Sequence, residues 1–213
     1  MEERSISLEK RVFMLYSLEA GHPIGTCFGF GRPGPFLTAA HVIADLPMDQ
    51  IRVLSVGPEV ASWPISEIRL QQSADVAALY VPDGGQDPRF ECFELGKPPS
   101  GYADHTLGEE VVSVGYPLLA NEKPVTRRLM RGHLQAQYVY QADPYEYSAF
   151  ELPFPAFPGQ SGSPVIRDWA REEVIGLITE SIKYSTELGE DRTEAHWTIA
   201  TSLTPLSEWI DSL

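Results

Sequence analysis

The chain has 213 residues, 43% of them hydrophobic, and a formal net charge of −14. That length and apolar content suffice for a sizeable core. The acidic balance argues against nucleic-acid binding, because the one basic cluster, Arg127-Arg128-Leu129-Met130-Arg131, is too short to offset it. No apolar run is long enough to span a bilayer as a helix, so no membrane binding is expected.

The first ten residues are polar and lack the apolar core of a secretory signal. Gly25 to Phe30 alternates and predicts a half-buried strand, followed by a Gly/Pro turn over Gly31 to Pro35 and a second strand at Phe36 to Thr38. His41 follows directly on the small residues Ala39 and Ala40, where an imidazole can face a cleft. Taken alone, such a histidine is more often one satisfied by backbone partners. Asp75 opens the apolar run Val76 to Val81, which predicts a strand. Here too there is a bland alternative, a solvated turn carboxylate.

Leu95 to Glu110 is rich in Pro, Gly and polar residues and reads as a crossover. Farther on, Phe157-Pro158-Gly159-Gln160-Ser161-Gly162-Ser163-Pro164 places a serine between glycines. Gly159 can adopt backbone conformations closed to other residues. The N–H groups of Gly159 and Ser161 could then converge on an oxygen that becomes negative as an acyl carbon is attacked. Gly-Ser-Gly runs are also common in turns. At the end, Thr204 and Pro205 predict an N-cap and first position of a short helix. Scattered glycines and prolines between short alternating runs favour an all-β protein.

His41, Asp75 and Ser161 occur in that order, in the settings Thr38-Ala39-Ala40-His41, Asp75-Val76-Ala77 and Gly159-Gln160-Ser161-Gly162-Ser163-Pro164. With Val114-Gly115-Tyr116-Pro117 and Val174-Ile175-Gly176-Leu177, the chain resembles the trypsin-like, or chymotrypsin-fold, serine peptidases over nearly its whole length. An α/β-hydrolase is rejected, because Ser163 stands where Gly-x-Ser-x-Gly needs glycine and strand–helix alternation is missing.

The resemblance implies two packed six-stranded antiparallel β-barrels and a short C-terminal helix. Residues 1–95 would carry His41 and Asp75, residues 96–110 would cross over, and residues 111–213 would carry Ser161. It implies a serine endopeptidase acting through an acyl-enzyme, with His41 as base, Asp75 orienting it and Ser161 as nucleophile. This chemistry needs no metal or other cofactor, and no Cys/His cluster has ligand spacing. The substrate would be a polypeptide bound as an extended strand.

By family position, the pocket for the side chain before the scissile bond is lined by Pro155 and Ala156 on one side and by Thr179, Glu180 and Ser181 on the other, with His196 nearby. Pro155 stands where trypsin proper has its carboxylate, which removes the main reason to expect cleavage after Arg or Lys. Thr179 is expected to bond the triad aspartate. Gln160 replaces the aspartate that answers N-terminal cleavage in secreted digestive members, which implies folding without such activation.

Only Cys27 and Cys92 are present, without an evident disulfide framework, and with the polar start they point to the cytoplasm. A protease there needs restraint, which is expected from narrow specificity, a regulatory protein partner or a distorted resting oxyanion loop. The alternatives are a binding or scaffold module on the same fold, and a latent protease awaiting that partner.

Overall fold

The structure, a computed structural model, describes residues 8–31, 34–56, 60–82, 87, 89–98, 105–119, 125–168, 173–188 and 191–213. Two curled antiparallel sheets make up the molecule. The first has the order β5 (Ser62–Pro64), β4 (Ile51–Leu54), β1 (Val12–Ser17), β2 (His22–Gly29), β3 (Phe36–Thr38), β7 (Ala77–Tyr80) and β6 (Glu67–Leu70). The second has the order β10 (Arg128–His133), β9 (Glu110–Gly115), β13 (Pro164–Asp168), β14 (Glu173–Leu188), β15 (Asp191–Ser202), β12 (Tyr145–Leu152) and β11 (Ala136–Ala142). A two-residue strand, β8 (Glu94–Leu95), adds to β14 in parallel. Among the described residues the sheets thus hold seven and eight strands where six each are expected, and several of the strands are only two to four residues long.

Alternation explains the first sheet. In β4, Ile51 and Val53 are buried while Arg52 and Leu54 are half-buried, and their apolar face meets Phe13, Leu15 and Trp63 in one core. Phe13 anchors that core edge-on against Phe36 at 5.1 Å and Phe90 at 5.4 Å. A fully buried ring of this kind is worth about 1.5–3 kcal/mol. The second sheet closes over Val111, Leu134, Phe150, Leu152, Val165 and Ile178.

β2 departs from the half-buried strand its alternation predicts: residues 25–29 are buried on both faces. The reason is tertiary. Cys27 points into the core of the first sheet, whereas Phe28 belongs to the core shared by both halves, with Val112, Val114 and Tyr116. β2 is the wall between the two halves. Cys27 and Cys92 are both thiols without a disulfide, and burial pushes the Cys27 thiol well up.

One expectation needs amendment. Thr204 does not cap. It begins a 3-10 turn, Thr204–Leu206, ahead of the helix α1 (Ser207–Asp211), and neither start has a side-chain cap. Its hydroxyl instead meets His105 Nε2 at 3.0 Å. Leu206 and Ile210 join the shared core, and the Tyr80 hydroxyl donates to the Leu213 carbonyl at 3.0 Å, tying the C-terminus to the first sheet. Residues 95 and 110 border the expected crossover at β8 and β9, but positions 99–104 of it lie outside the described residues.

Candidate active site

His41 sits in a 3-10 turn, Ala40–Val42, immediately after β3. Asp75 lies in the bend before β7, and β3 pairs with β7 through Thr38 and Ala77. Neighbouring strand ends therefore bring the two together. Asp75 is only 6% exposed, which rules out the solvated carboxylate. One of its oxygens accepts the His41 backbone N–H at 2.8 Å, and the other lies 2.5 Å from the ring Nδ1. The imidazole side chain remains 46% exposed. The aspartate thus fixes backbone and ring together, leaving Nε2 as the nitrogen able to exchange a proton.

Ser161 reaches this place through glycines. A Cβ on Gly162 would fall 2.1 Å from the Thr26 carbonyl oxygen and 3.1 Å from the Ala39 nitrogen, so the residue after Ser161 packs directly on the strand end that leads to His41. A Cβ on Gly25 would meet Val42 Cγ1 at 2.6 Å and the Ser161 carbonyl oxygen at 3.2 Å. Thr26 N–H donates to that same carbonyl at 3.0 Å. Gly25 and Thr26 therefore bridge the histidine and serine segments.

The loop before Ser161 is a type II turn. Gln160 N–H donates to the Phe157 carbonyl at 3.0 Å, Pro158 occupies the second position and Gly159 the third, with φ of +88°. Leu118 N–H donates to the Pro158 carbonyl at 2.7 Å. A trans peptide sets N–H opposite C=O, so the Gly159 N–H turns away from Leu118. The Gly159 carbonyl is held by the Thr26 hydroxyl at 2.8 Å. Neither the Gly159 nor the Ser161 N–H has an acceptor among the described residues. Two unspent donors two residues apart, one of them on a buried glycine, are what a developing oxyanion requires.

Gln160 holds this loop from inside. It is fully buried, its Oε1 accepts the Phe157 N–H at 2.7 Å, and its Nε2 contacts Met130 Sδ at 3.2 Å. A neutral amide closes the turn from which the two donors project.

The expected specificity residues fall in three places. Pro155 is exposed and Ala156 half-buried. The preceding Phe154 carbonyl accepts the hydroxyl of buried Thr198 at 2.5 Å, and Thr198 pairs with Ser181 across β14 and β15. These residues come together as one wall. His196 does not join them: it is exposed and lies opposite Lys183, farther along the hairpin. Glu180 belongs elsewhere, in a cleft of about 260 Å³ lined by His41 and Asp75 from the first half and by Asp143, Tyr145, Tyr147 and Thr179 from the second.

The Thr179 hydroxyl serves the Ile199 carbonyl at 3.3 Å and pairs with the Tyr147 hydroxyl at 3.2 Å, so it does not bond Asp75 as expected. Burial raises the Tyr147 hydroxyl above its ordinary value, so it stays a neutral donor. Sequence reasoning missed Asp143, Tyr145 and Tyr147. The available signal was the alternation of tyrosines at 138, 140, 145 and 147 about Asp143-Pro144, which marks a hairpin.

A model of the trypsin-like peptidase domain matches residues 25–177. The chain belongs to the trypsin-like peptidase family. No curated protein matches it. Among solved structures it is similar to the MamO protease domain of Magnetospirillum magneticum, with 13% identity, a TM-score of 0.68, and 95% of this chain and 97% of that one covered. It is also similar to the active form of the Rv3671c protease of M. tuberculosis, at 19% identity, a TM-score of 0.69 and coverage of 96% and 81%. A third similar structure is Deg5, at 20%, 0.68, and 97% and 92%. At these identities the three structures establish the chymotrypsin-like two-barrel fold of this peptidase-family member. Inactive forms of Rv3671c match as well, so the fold alone does not report activity. Among the described residues no helix is long and apolar enough to cross a membrane.

Proposed function

We propose that this trypsin-like family member is a serine endopeptidase whose triad is His41, Asp75 and Ser161. The observation that carries the reading is the double hold of Asp75 on His41, at the backbone N–H and at ring Nδ1. In this reading Ser161 Oγ attacks the scissile carbonyl as His41 Nε2 takes its proton. The carbonyl oxygen receives the N–H groups of Gly159 and Ser161. His41 then protonates the leaving amine, and water, activated by the same imidazole, hydrolyses the acyl-enzyme. Asp75 keeps the tautomer and stabilises the imidazolium.

The substrate enters as a strand. β14 pairs with β13 only as far as Leu177, after which Ile178 exchanges bonds with Gly162 and Ser163. Beyond Ile178 that edge of β14 has no strand partner among the described residues, and it begins beside Ser161. Extended peptides add to such edges, so Thr179 to Ser181 form the docking edge and Pro155, Ala156 and Ser181 border the side chain before the scissile bond. The cytoplasm is the compartment of this reading, supported by two cysteines left as thiols.

Covalent labelling by a fluorophosphonate tests the proposal. Wild type is expected to label at one site, and Ser161→Ala and His41→Ala are expected not to. Labelling that persists in Ser161→Ala would overturn the assignment. A well-folded wild type that never labels would overturn the reading of a competent endopeptidase, in favour of a latent enzyme awaiting a regulatory partner, or a binding module.

A further inference from the structure

We propose that the cleft beside His41 selects a cationic side chain, arginine or lysine, from the second substrate residue ahead of the scissile bond. The inference rests on the peptidase reading and adds the substrate class to it.

Position follows from strand geometry. Side chains of an extended peptide alternate between faces. If the residue attacked by Ser161 directs its side chain toward Pro155, Ala156 and Ser181, the residue before it faces the other way, toward His41. There lies the cleft. Its volume of about 260 Å³ falls below the roughly 300–1,000 Å³ of pockets for drug-sized ligands, and suits one long side chain.

Chemistry follows from the lining. Beyond Asp75, which is committed to His41, two further carboxylates, Asp143 and Glu180, and two aromatic rings, Tyr145 and Tyr147, border the space, and among the described residues no lysine or arginine does. Asp143 has no hydrogen-bond or ion partner among the described residues. One oxygen of Glu180 accepts the Tyr140 hydroxyl at 2.7 Å, which orients the carboxylate and leaves its other oxygen unspent. Burial, and then the bond to Glu180, raise the Tyr140 hydroxyl, so it remains a donor. Aromatic faces with carboxylates at the mouth match a guanidinium, which stacks and bonds at once. An acidic side chain would meet Asp143, Glu180 and the Asp75 carboxylate together. The chain's net charge of −14 adds long-range attraction of the same sign.

The test uses fluorogenic tetrapeptides in which only the second residue before the reporter bond varies, among Arg, Lys, Ala and Glu. Wild type is expected to show kcat/KM at least about tenfold higher for Arg than for Ala, with Glu lowest. The advantage is expected to reside mainly in KM and to shrink with added salt. The Arg-to-Ala ratio within each variant is expected to fall in Glu180→Gln and in Asp143→Asn, and to approach one in the double variant. A small fluorophosphonate has no peptide to place in the cleft, so its reaction with wild-type Ser161 reports on the peptidase reading alone. Equal rates for Arg, Ala and Glu from an enzyme that labels would overturn this proposal and leave the reading standing. An enzyme that neither labels nor hydrolyses any peptide would overturn both.

Discussion

Asp75 holds His41 twice, with one carboxylate oxygen 2.8 Å from the backbone nitrogen and the other 2.5 Å from ring Nδ1. The first bond sets where the residue sits and the second sets which ring nitrogen carries the proton. Replacing Asp75 by asparagine keeps the shape but offers an amide where a second acceptor is needed, which favours the wrong tautomer. The expected result is a fall in kcat of about 10⁴-fold with KM little changed. Steady-state hydrolysis of a peptide substrate checks it, and a loss under tenfold would remove Asp75 from the triad.

The buried amide of Gln160 acts one step back from the chemistry, through the Phe157 N–H that it accepts at 2.7 Å. Gln160→Ala strands that N–H and releases the turn that aims the Gly159 donor. Losing one oxyanion donor costs about 10²–10³ in kcat, and a loss near the lower figure is expected with KM nearly constant. A role confined to stability would instead lower the melting temperature with kcat unchanged below it. Measuring both quantities on one preparation separates the two.

Much of the proposed site was readable in the sequence, because the three residues of the proposed triad each sit in a distinctive local setting. His41 follows small residues at a strand end, Asp75 precedes an apolar strand, and Ser161 is flanked by glycines that the fold uses at φ of +88° and +85°. The cleft was not readable. Its Asp143 and Tyr145 come from the turn between β11 and β12, remote in sequence from His41, and only the pairing of β12 with β15 carries that hairpin to the site. Glu180 was assigned to the wrong wall for a local reason. The β14–β15 register shifts between Ile178 and Glu180, and a one-residue bulge re-aims the side chains beyond it. Thr204 misled in a similar way, because tertiary contact with His105 claimed the hydroxyl that capping would have used.

Acid stability should show one identifiable contribution near the edge of the first core. Asp87 is held down to about 2, chiefly by its hydrogen bonds from the Arg89 side chain, with the Trp63 ring N–H helping at 3.3 Å. A carboxyl whose folded pKa lies below its unfolded value of about 3.9 adds stability that is fully present above the latter. That increment disappears as pH falls through the folded value. The difference in unfolding free energy between wild type and Asp87→Asn is therefore expected to be constant from pH 7 to about 5 and to shrink from there toward pH 2. Urea titrations across that range measure it, and a difference that grows on acidification would contradict the assignment.

Gly162 marks the place where the two halves of the proposed active site touch, and its substitution should be among the most damaging in the chain. An alanine there must hold φ of +85°, and its Cβ would lie 2.1 Å from the Thr26 carbonyl oxygen and 2.4 Å from Thr38 Oγ1. The carbonyl is backbone, and the Thr38 hydroxyl is already committed to it at 2.8 Å, so neither can yield without opening the junction between β2 and β3. Gly162→Ala is expected to destabilise by about 3 kcal/mol or more. Gly108 supplies the control, since it has a similar φ of +83° but nothing within 4 Å of the added Cβ. Its alanine variant carries the conformational cost alone, about 1–2 kcal/mol. Denaturant unfolding of the two variants side by side isolates the steric part. If they lose equal stability, the close approach of Gly162 to Thr26 contributes nothing beyond the strain of its dihedral.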